Sequence, residues 1–467
     1  MTPRAGRSTE QPAARALALH TLLTLEQRGG FADDLLHAML DREVPSRERA
    51  LTVELVYGVL RHRSFLDWRL QHVADRPLHR LPVLVLTALR LGAYQLLLLT
   101  KIPPSAAVNE SVALIKSGRP VRSSSTRDWT GFVNAILRAL TRQPPPAPPD
   151  PHADPVAAYA VLYSCPTWLT RRWVERFGAE HAESICRATT AIPPLTIRAN
   201  TLRVTRDVLA ERLRQSGHAV GPALVSPVGL TLEKTGPVGH LPEFREGLFY
   251  VEDEAGQLIA PLLAPRPGER VLDLCAAPGG KATHLAALMQ NRGTLVAVDS
   301  SPSRLGLLAD NVRRLGIGIV TPVAADATTE ATKVSAHLKE PFDRVLVDAP
   351  CSGLGVLRRH PEGKWQKGAE QLDQHRRRQR RILEQAGRLL RPGGVLVYST
   401  CSTEPEENEQ VIDEFCSTHA DFHREPAAPW LPDAARGYVT DQGHFSTVYN
   451  RHDMDMFFAV RLRKAAS

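Results

Sequence analysis

Two thiols and a set of strand-end carboxylates are the groups in this 467-residue chain whose types and spacing could do chemistry. In FDRVLVDAPCSG, Phe342 to Gly353, the apolar run Val345, Leu346, Val347 ends on Asp348 and is followed by Pro350, Cys351 and Gly353. Such a run predicts a parallel strand covered on both faces. Proline then stops the ladder and glycine permits a sharp departure, so acid and thiol are held at a fixed separation above the sheet. Cys401 closes a second apolar run, VYSTCS, which predicts two thiols at one mouth. One of them is the candidate nucleophile, and position alone does not decide which. Cys165, Cys186 and Cys416 have no such setting and are expected to be inert core residues.

A ligand site is predicted upstream. DLCAAPGGK, Asp273 to Lys281, places Gly279 and Gly280 where a strand gives way to a helix. Backbone can approach a ligand there, and free N–H groups attract negative charge. The pattern is neither GxGxxG nor GxxxxGK[ST], which argues against a plain dinucleotide or triphosphate site. Cys275 within it is expected to pack or to line the cofactor. Asp299 follows about twenty residues after the glycines, where an acid commonly binds ribose hydroxyls. Asp326 ends the next strand. Any one of these aspartates would serve equally well as a helix cap, but three carboxylates at Asp299, Asp326 and Asp348 beside a glycine turn suit a nucleoside with a cationic tail. S-adenosylmethionine is such a molecule. It would give the thiols a purpose, because C5 of a pyrimidine is a poor nucleophile until something adds at C6.

The elements that must position these groups follow from periodicity. From Arg270 onward strands (RVLDLCA, TLVAVD, VTPVAAD, FDRVLVD, GVLVYST) alternate with helices near 281–291, 303–316, 370–391 and 406–419, predicting a doubly wound sheet. DMFFAVRLRK, Asp455 to Lys464, suits an antiparallel addition at one edge. Upstream, residues 13–142 show helical spacing throughout: 13–28, 31–43, 46–74, 81–99, 104–117 and 126–140. QPPPAPPDPHADP, Gln143 to Pro155, is a stiff spacer. Residues 156–250 mix helices at 166–178, 180–190 and 206–217 with short strands. The expected organisation is multidomain: an all-α bundle over 1–142, a linker over 143–155, a small α+β domain over 156–250 and an α/β Rossmann-like domain over 251–467.

Composition bounds the function. With 43% hydrophobic and 23% charged residues the chain has globular values. Net charge is +8, and with only nine lysines it is arginine that supplies the basicity. Its planar fork suits phosphate, although a biased composition would look the same. Arg61, Arg63 and Arg69 could face an acidic partner or simply water. Arg198 and Asn200, in an extended segment flanked by Arg203 and Arg206, could form a nucleic-acid face or a strand edge. Six cysteines lie far apart with no zinc spacing, so no metal is expected. Arg4, Arg7 and Arg15 precede an Ala/Leu stretch broken by His20 and Glu26, which predicts an amphipathic helix rather than a leader. Leu81–Leu99 is apolar, but Arg90 and Gln95 make it a bundle helix rather than a membrane span. A cytoplasmic, reducing location is expected.

VLDLCAAPGGK, VDAPCSG and YSTCS together resemble the motifs of the RNA cytosine-C5 methyltransferases, over roughly residues 155 to 464. The helical N-terminal part is similar to the antitermination factor NusB, and the combination points to the bacterial 16S rRNA members of the family. The resemblance implies an all-α NusB-like bundle, a small α+β domain and a Rossmann-like S-adenosylmethionine-dependent methyltransferase domain. It implies that Cys401 adds to C6 of the cytosine, that Cys351 assists release of the methylated base, and that Asp348 contacts the N3 side. The cofactor would be held by Cys275, Ala276, Ala277, Pro278, Gly279, Gly280, Lys281, Asp299, Asp326 and Asp348. Arg358, Arg359, His360 and Pro361 match a segment expected to face RNA, and HRRRQRR, His375 to Arg381, could bind phosphate or be a solvated helix face. Where DGFF is expected the chain has DMFF, Asp455 to Phe458, a departure confined to a local turn. The implied partner is 16S rRNA or a partly assembled small subunit, met by a monomer. Rival functions are a methyltransferase acting on tRNA or on DNA, where a cysteine like Cys351 would be the nucleophile, and a non-catalytic RNA-binding assembly factor.

Overall fold

In a computed structural model the described residues are 14–40, 44–117, 128–233, 235–329, 336–447 and 453–466. Arg4 and Arg7, the start of the helix expected from 126, and the last residues of the one expected to reach 43 lie outside them. The chain divides into two compact units: residues up to Ala191 together with Leu357–Gln366, and Ile192–Val356 together with Lys367 onward.

The first unit is helical. Six helices, Ala14–Arg28, Ala32–Leu40, Ser46–Val73, Val83–Leu98, Pro104–Ser117 and Thr130–Arg142, bury one core of leucines and valines. The longest kinks at His62, where φ is −114° and ψ 18°. Arg90 sits on the apolar helix yet is buried, because Asp67 binds it through two 2.7 Å hydrogen bonds and Glu26 lies 3.3 Å away. Among the described residues no helix is long and apolar enough to cross a membrane. Three more helices, Pro155–Leu162, Thr167–Phe177 and Ala179–Ala188, belong to this unit. Two arginines expected on an exposed face are spent within it: Arg61 is buried and donates to the Arg358 carbonyl, and Arg63 pairs with Glu26 at 2.6 Å.

The segment Leu357–Gln366 also folds into the first unit, which corrects the expectation of an RNA-facing loop. Arg358 is 3% exposed. Lys364 donates to the Ser164 carbonyl at 3.1 Å, Trp365 to that of Leu60 at 2.7 Å and Gln366 to that of Gly30 at 3.1 Å, while the Ala32 amide donates to Glu362 at 3.2 Å.

The second unit has two sheets. The smaller is antiparallel, β1 (Leu195–Ala199), β2 (Ala219–Pro222), β3 (Gly229–Glu233) and β4 (Phe249–Val251), in the order β2-β3-β1-β4. The larger contains β5 (Arg270–Asp273), β6 (Thr294–Asp299), β7 (Val320–Ala324), β8 (Phe342–Asp348), β9 (Leu390–Thr400), β10 (Phe422–Glu425), β11 (Phe445–Ser446) and β12 (Phe458–Lys464). Its order is β10-β12-β9-β8-β5-β6-β7, with β11 beside β12. The five strands β9-β8-β5-β6-β7 are parallel, and β12 and β10 add antiparallel beyond β9. Apolar residues on both sheet faces form two cores, as a covered parallel sheet requires.

Candidate active site

The parallel register brings the two thiols together. Asp348 on β8 is opposite Ser399 on β9, so Cys351 and Cys401, each just beyond its strand, emerge at the same carboxyl edge. Their sulfurs are 3.4 Å apart. The backbone between is held closely: the Gly355 amide donates to the Cys401 carbonyl at 2.9 Å, and the Met456 amide to the Gly355 carbonyl at 2.9 Å. A Cβ at Gly355 would lie 2.1 Å from the Met456 carbonyl oxygen. Gly353 takes a φ of +67°, the departure expected of it.

Charge converges on the pair. Lys281 Nζ is 2.7 Å from Asp348 Oδ2, Ser399 donates to Asp348 Oδ1 at 2.8 Å, and the Lys281 ammonium lies 5.1 Å from the Phe457 ring centroid. Burial opposes the ammonium, but Asp348 and Glu252 outweigh it and raise the Lys281 pKa. The hydrogen bond from Cys351 holds the Cys401 thiol below its ordinary range, against burial and Asp348, with Lys281 and Lys367 adding to the effect. Cys351, half-buried, is pushed well up by the same contact and by desolvation. The surroundings therefore favour the thiolate more at Cys401 than at Cys351.

Behind the thiols lies a buried carboxylate that the sequence did not reveal. Glu407 accepts hydrogen bonds from the Ser352 amide at 2.7 Å, from the hydroxyls of Ser352 and Ser402, and from Gln379 at 3.2 Å. Gln379 also donates to the Pro350 carbonyl at 3.1 Å. Ser352 and Ser402 each follow a thiol, so one carboxylate ties both turns. No motif signals it, because these partners meet only when β8, β9 and the helix Leu372–Leu389 are assembled.

At the end of β5 the turn Cys275–Gly280 leads into the helix Gly280–Leu288, with a cis bond before Pro278 and Gly279 at φ +108°. Ala276 and Ala277 are buried. A Cβ at Gly280 would approach Glu252 Oε1 to 3.0 Å. Asp299, nearly buried, accepts from the amides of Ala277 at 3.2 Å and Ser301 at 2.9 Å, so it braces the turn from β6. Asp326 is exposed and accepts from the amide and hydroxyl of Thr328, the capping role weighed against it. The Cys275 thiol is raised well above its usual range by burial and by Asp273, Asp348 and Asp299. Asp273 is fully buried, its Oδ2 has no hydrogen-bond partner, and burial together with Asp348 pushes its pKa up to about 7. Arg198 and Asn200 are not a nucleic-acid face: Arg198 is 2.9 Å from Glu252 and donates to the Gly280 carbonyl and Thr283, and Asn200 spans the carbonyls of Gly247 and Leu315. Both are buried braces of the glycine turn and its surroundings. Among the described residues no cluster of His, Cys, Asp and Glu could hold a metal ion.

A glycine turn after β5, an acid after β8 and a thiol after β9 stand on three adjacent parallel strands at their carboxyl ends, where open α/β sheets bind ligands. Fold and site together define a Rossmann-like methyltransferase domain. The family model "16S rRNA methyltransferase RsmB/F" matches residues 260–463, "NusB family" matches 12–142, and an RsmF/B-like ferredoxin-like domain matches 165–239. The chain is 34% identical over 457 residues to "Probable ribosomal RNA small subunit methyltransferase B" of Bacillus subtilis, covering 97% of this chain and 99% of the relative. It is 34% identical over 436 residues to "Ribosomal RNA small subunit methyltransferase B" of Escherichia coli O1:K1, covering 92% and 97%. The crystal structure of PH0851 superposes with a TM-score of 0.78 at 27% identity, over 97% of this chain and 98% of that one. The chain belongs to the 16S rRNA methyltransferase RsmB/F family.

Proposed function

We propose that the protein transfers a methyl group from S-adenosylmethionine to C5 of a cytosine in 16S rRNA through a covalent adduct of Cys401. The observation that carries this reading is the thiol pair at 3.4 Å with the Lys281–Asp348 pair beside it. Cys401, held toward thiolate, adds to C6, and the displaced π electrons make C5 nucleophilic. The negative charge that develops at N3 is met by a proton passed from Lys281 through Asp348, which lie 2.7 Å apart. Release requires that a base take the C5 proton as the C6–sulfur bond breaks and the Cys401 thiolate re-forms. Cys351, adjacent, serves that step as its thiolate, having passed its own proton to solvent once the Cys401 sulfur is bonded to C6 and no longer shares it.

The cofactor's fit is supported by the orphaned Asp273 oxygen, which with Asp299 and Asp348 gives a cationic tail its counter-charge, and by the closely packed glycine turn. Residues 275–281 with Asp299 and Asp326 would hold it. When bound it supplies an electrophilic methyl group. Bisulfite sequencing of 16S rRNA from cells with and without this protein should show one 5-methylcytosine disappear, and transfer of labelled methyl by the purified chain should restore it. Unchanged rRNA together with no transfer in vitro would favour the assembly-factor role.

A further inference from the structure

The helical unit encloses a cavity of about 240 Å3 that the methyl-transfer site does not use. Leu22, Leu25, Val59 and Leu60 give it a buried apolar floor. Its arginines are already paired: Arg63 with Glu26, and Arg90 with Asp67 and Glu26. Trp365 in the wall has spent its N–H on the Leu60 carbonyl, and the Arg63 guanidinium is 5.2 Å from its ring centroid. Glu362 is different. It lines the cavity at 2% exposure, one oxygen accepts the Ala32 amide and lies 3.6 Å from His360 Nδ1, and the other, Oε2, is buried with no hydrogen-bond partner. An acceptor oxygen in an apolar wall is costly unless a donor reaches it. The space is many times what one water needs.

The occupant must bring N–H donors, since the Glu362 oxygen is the unmet acceptor and the arginines of the same walls are already held by Glu26 and Asp67. It must also be flat and apolar on its faces, to suit leucines and an indole–guanidinium stack. Guanine meets both conditions, its N1–H and N2–H lying side by side as a carboxylate requires. Unstacked bases of single-stranded RNA are read on that edge and stacked on aromatic or guanidinium planes. We infer that this cavity is a pocket for a single unstacked guanine of the RNA substrate, read by the Glu362 carboxylate. The inference rests on the chain acting on RNA.

The test measures binding of the full-length protein to labelled single-stranded oligouridylates carrying one central guanosine, inosine or 7-deazaguanosine. Guanosine and 7-deazaguanosine should bind alike, and inosine, lacking the N2 amine, roughly tenfold more weakly. Glu362→Gln and, independently, Val59→Phe, which fills the cavity without touching a charge, should erase that preference. Equal binding of guanosine and inosine would overturn the pocket. So would relief of the preference by N-acetylarginine amide at concentrations that leave uridylate binding intact, which would assign the cavity to a basic protein side chain. If methyl transfer to rRNA proceeds without any guanine preference, the pocket fails and the proposed function stands; if neither transfer nor RNA binding occurs, both fail.

Discussion

The sulfur of Cys401 carries the proposed chemistry, and its neighbours set its reactivity. Cys401→Ala should abolish methyl transfer, whereas Cys351→Ala should form the adduct and fail to resolve it, leaving a protein–RNA complex that survives denaturing gels. The opposite pattern would exchange the roles of the two thiols. Because the Cys351 hydrogen bond is the largest influence lowering the Cys401 pKa, removing it leaves burial and Asp348 to act against the thiolate. The rate of Cys401 alkylation by iodoacetamide, followed by peptide mass spectrometry against pH, should therefore have its midpoint at higher pH in Cys351→Ala than in the parent. Both cysteines were legible as a pair from their strand-end positions. Their direct contact was not, since the 3.4 Å approach joins residues 50 apart in sequence.

At the level of elements, the alternation of strands and helices from Arg270 was readable because a covered parallel sheet imposes continuous apolar runs and proline and glycine mark their ends. What lies between β8 and β9 was not readable. Arg358 to Pro361 were expected to face RNA, yet every residue of the surrounding LRRHPEGKWQ is at least partly buried, its charged groups finding a backbone carbonyl and amide in the first unit. Glu407 is the comparable case within the second unit. Glu407→Ala strands several buried donors and should destabilise that unit by roughly 3 kcal/mol. It should lower the rate of transfer while cofactor affinity, measured by calorimetry, changes little. Asp299→Ala should do the reverse, weakening cofactor binding more than RNA binding, because its bond to the Ala277 amide braces the glycine turn.

For the whole molecule, Asp273 makes stability depend on pH. Its folded pKa is raised to about 7 by burial and by Asp348, from an ordinary carboxylate value in the unfolded chain. Between those values the folded state holds a proton that the unfolded state has lost, so stability falls as pH rises from about 4 to about 7. Asp273→Asn carries no such penalty. Melting of the second unit, followed by calorimetry, should show the variant more stable than the parent at pH 8 and the two nearly equal at pH 4; parallel curves would remove Asp273 as the cause. The bound cofactor should narrow the gap at pH 8, because a cationic tail favours the ionised carboxylate.

The sequence by itself determined the order of helical, mixed and doubly wound segments, the glycine turn and the two strand-end thiols, because each is set by local rules of periodicity, backbone freedom and ladder termination. Only the tertiary structure decided which charged residues remain available for a ligand. Arg61, Arg198 and Asn200, candidates for a ligand-facing surface in the sequence, are buried in the fold and bonded to groups remote in sequence, and Arg358 is buried with them. Glu362 and Asp273 gained buried unpartnered oxygens in the same way. Desolvation and hydrogen-bond satisfaction are properties of the assembled surroundings, and no local pattern records them.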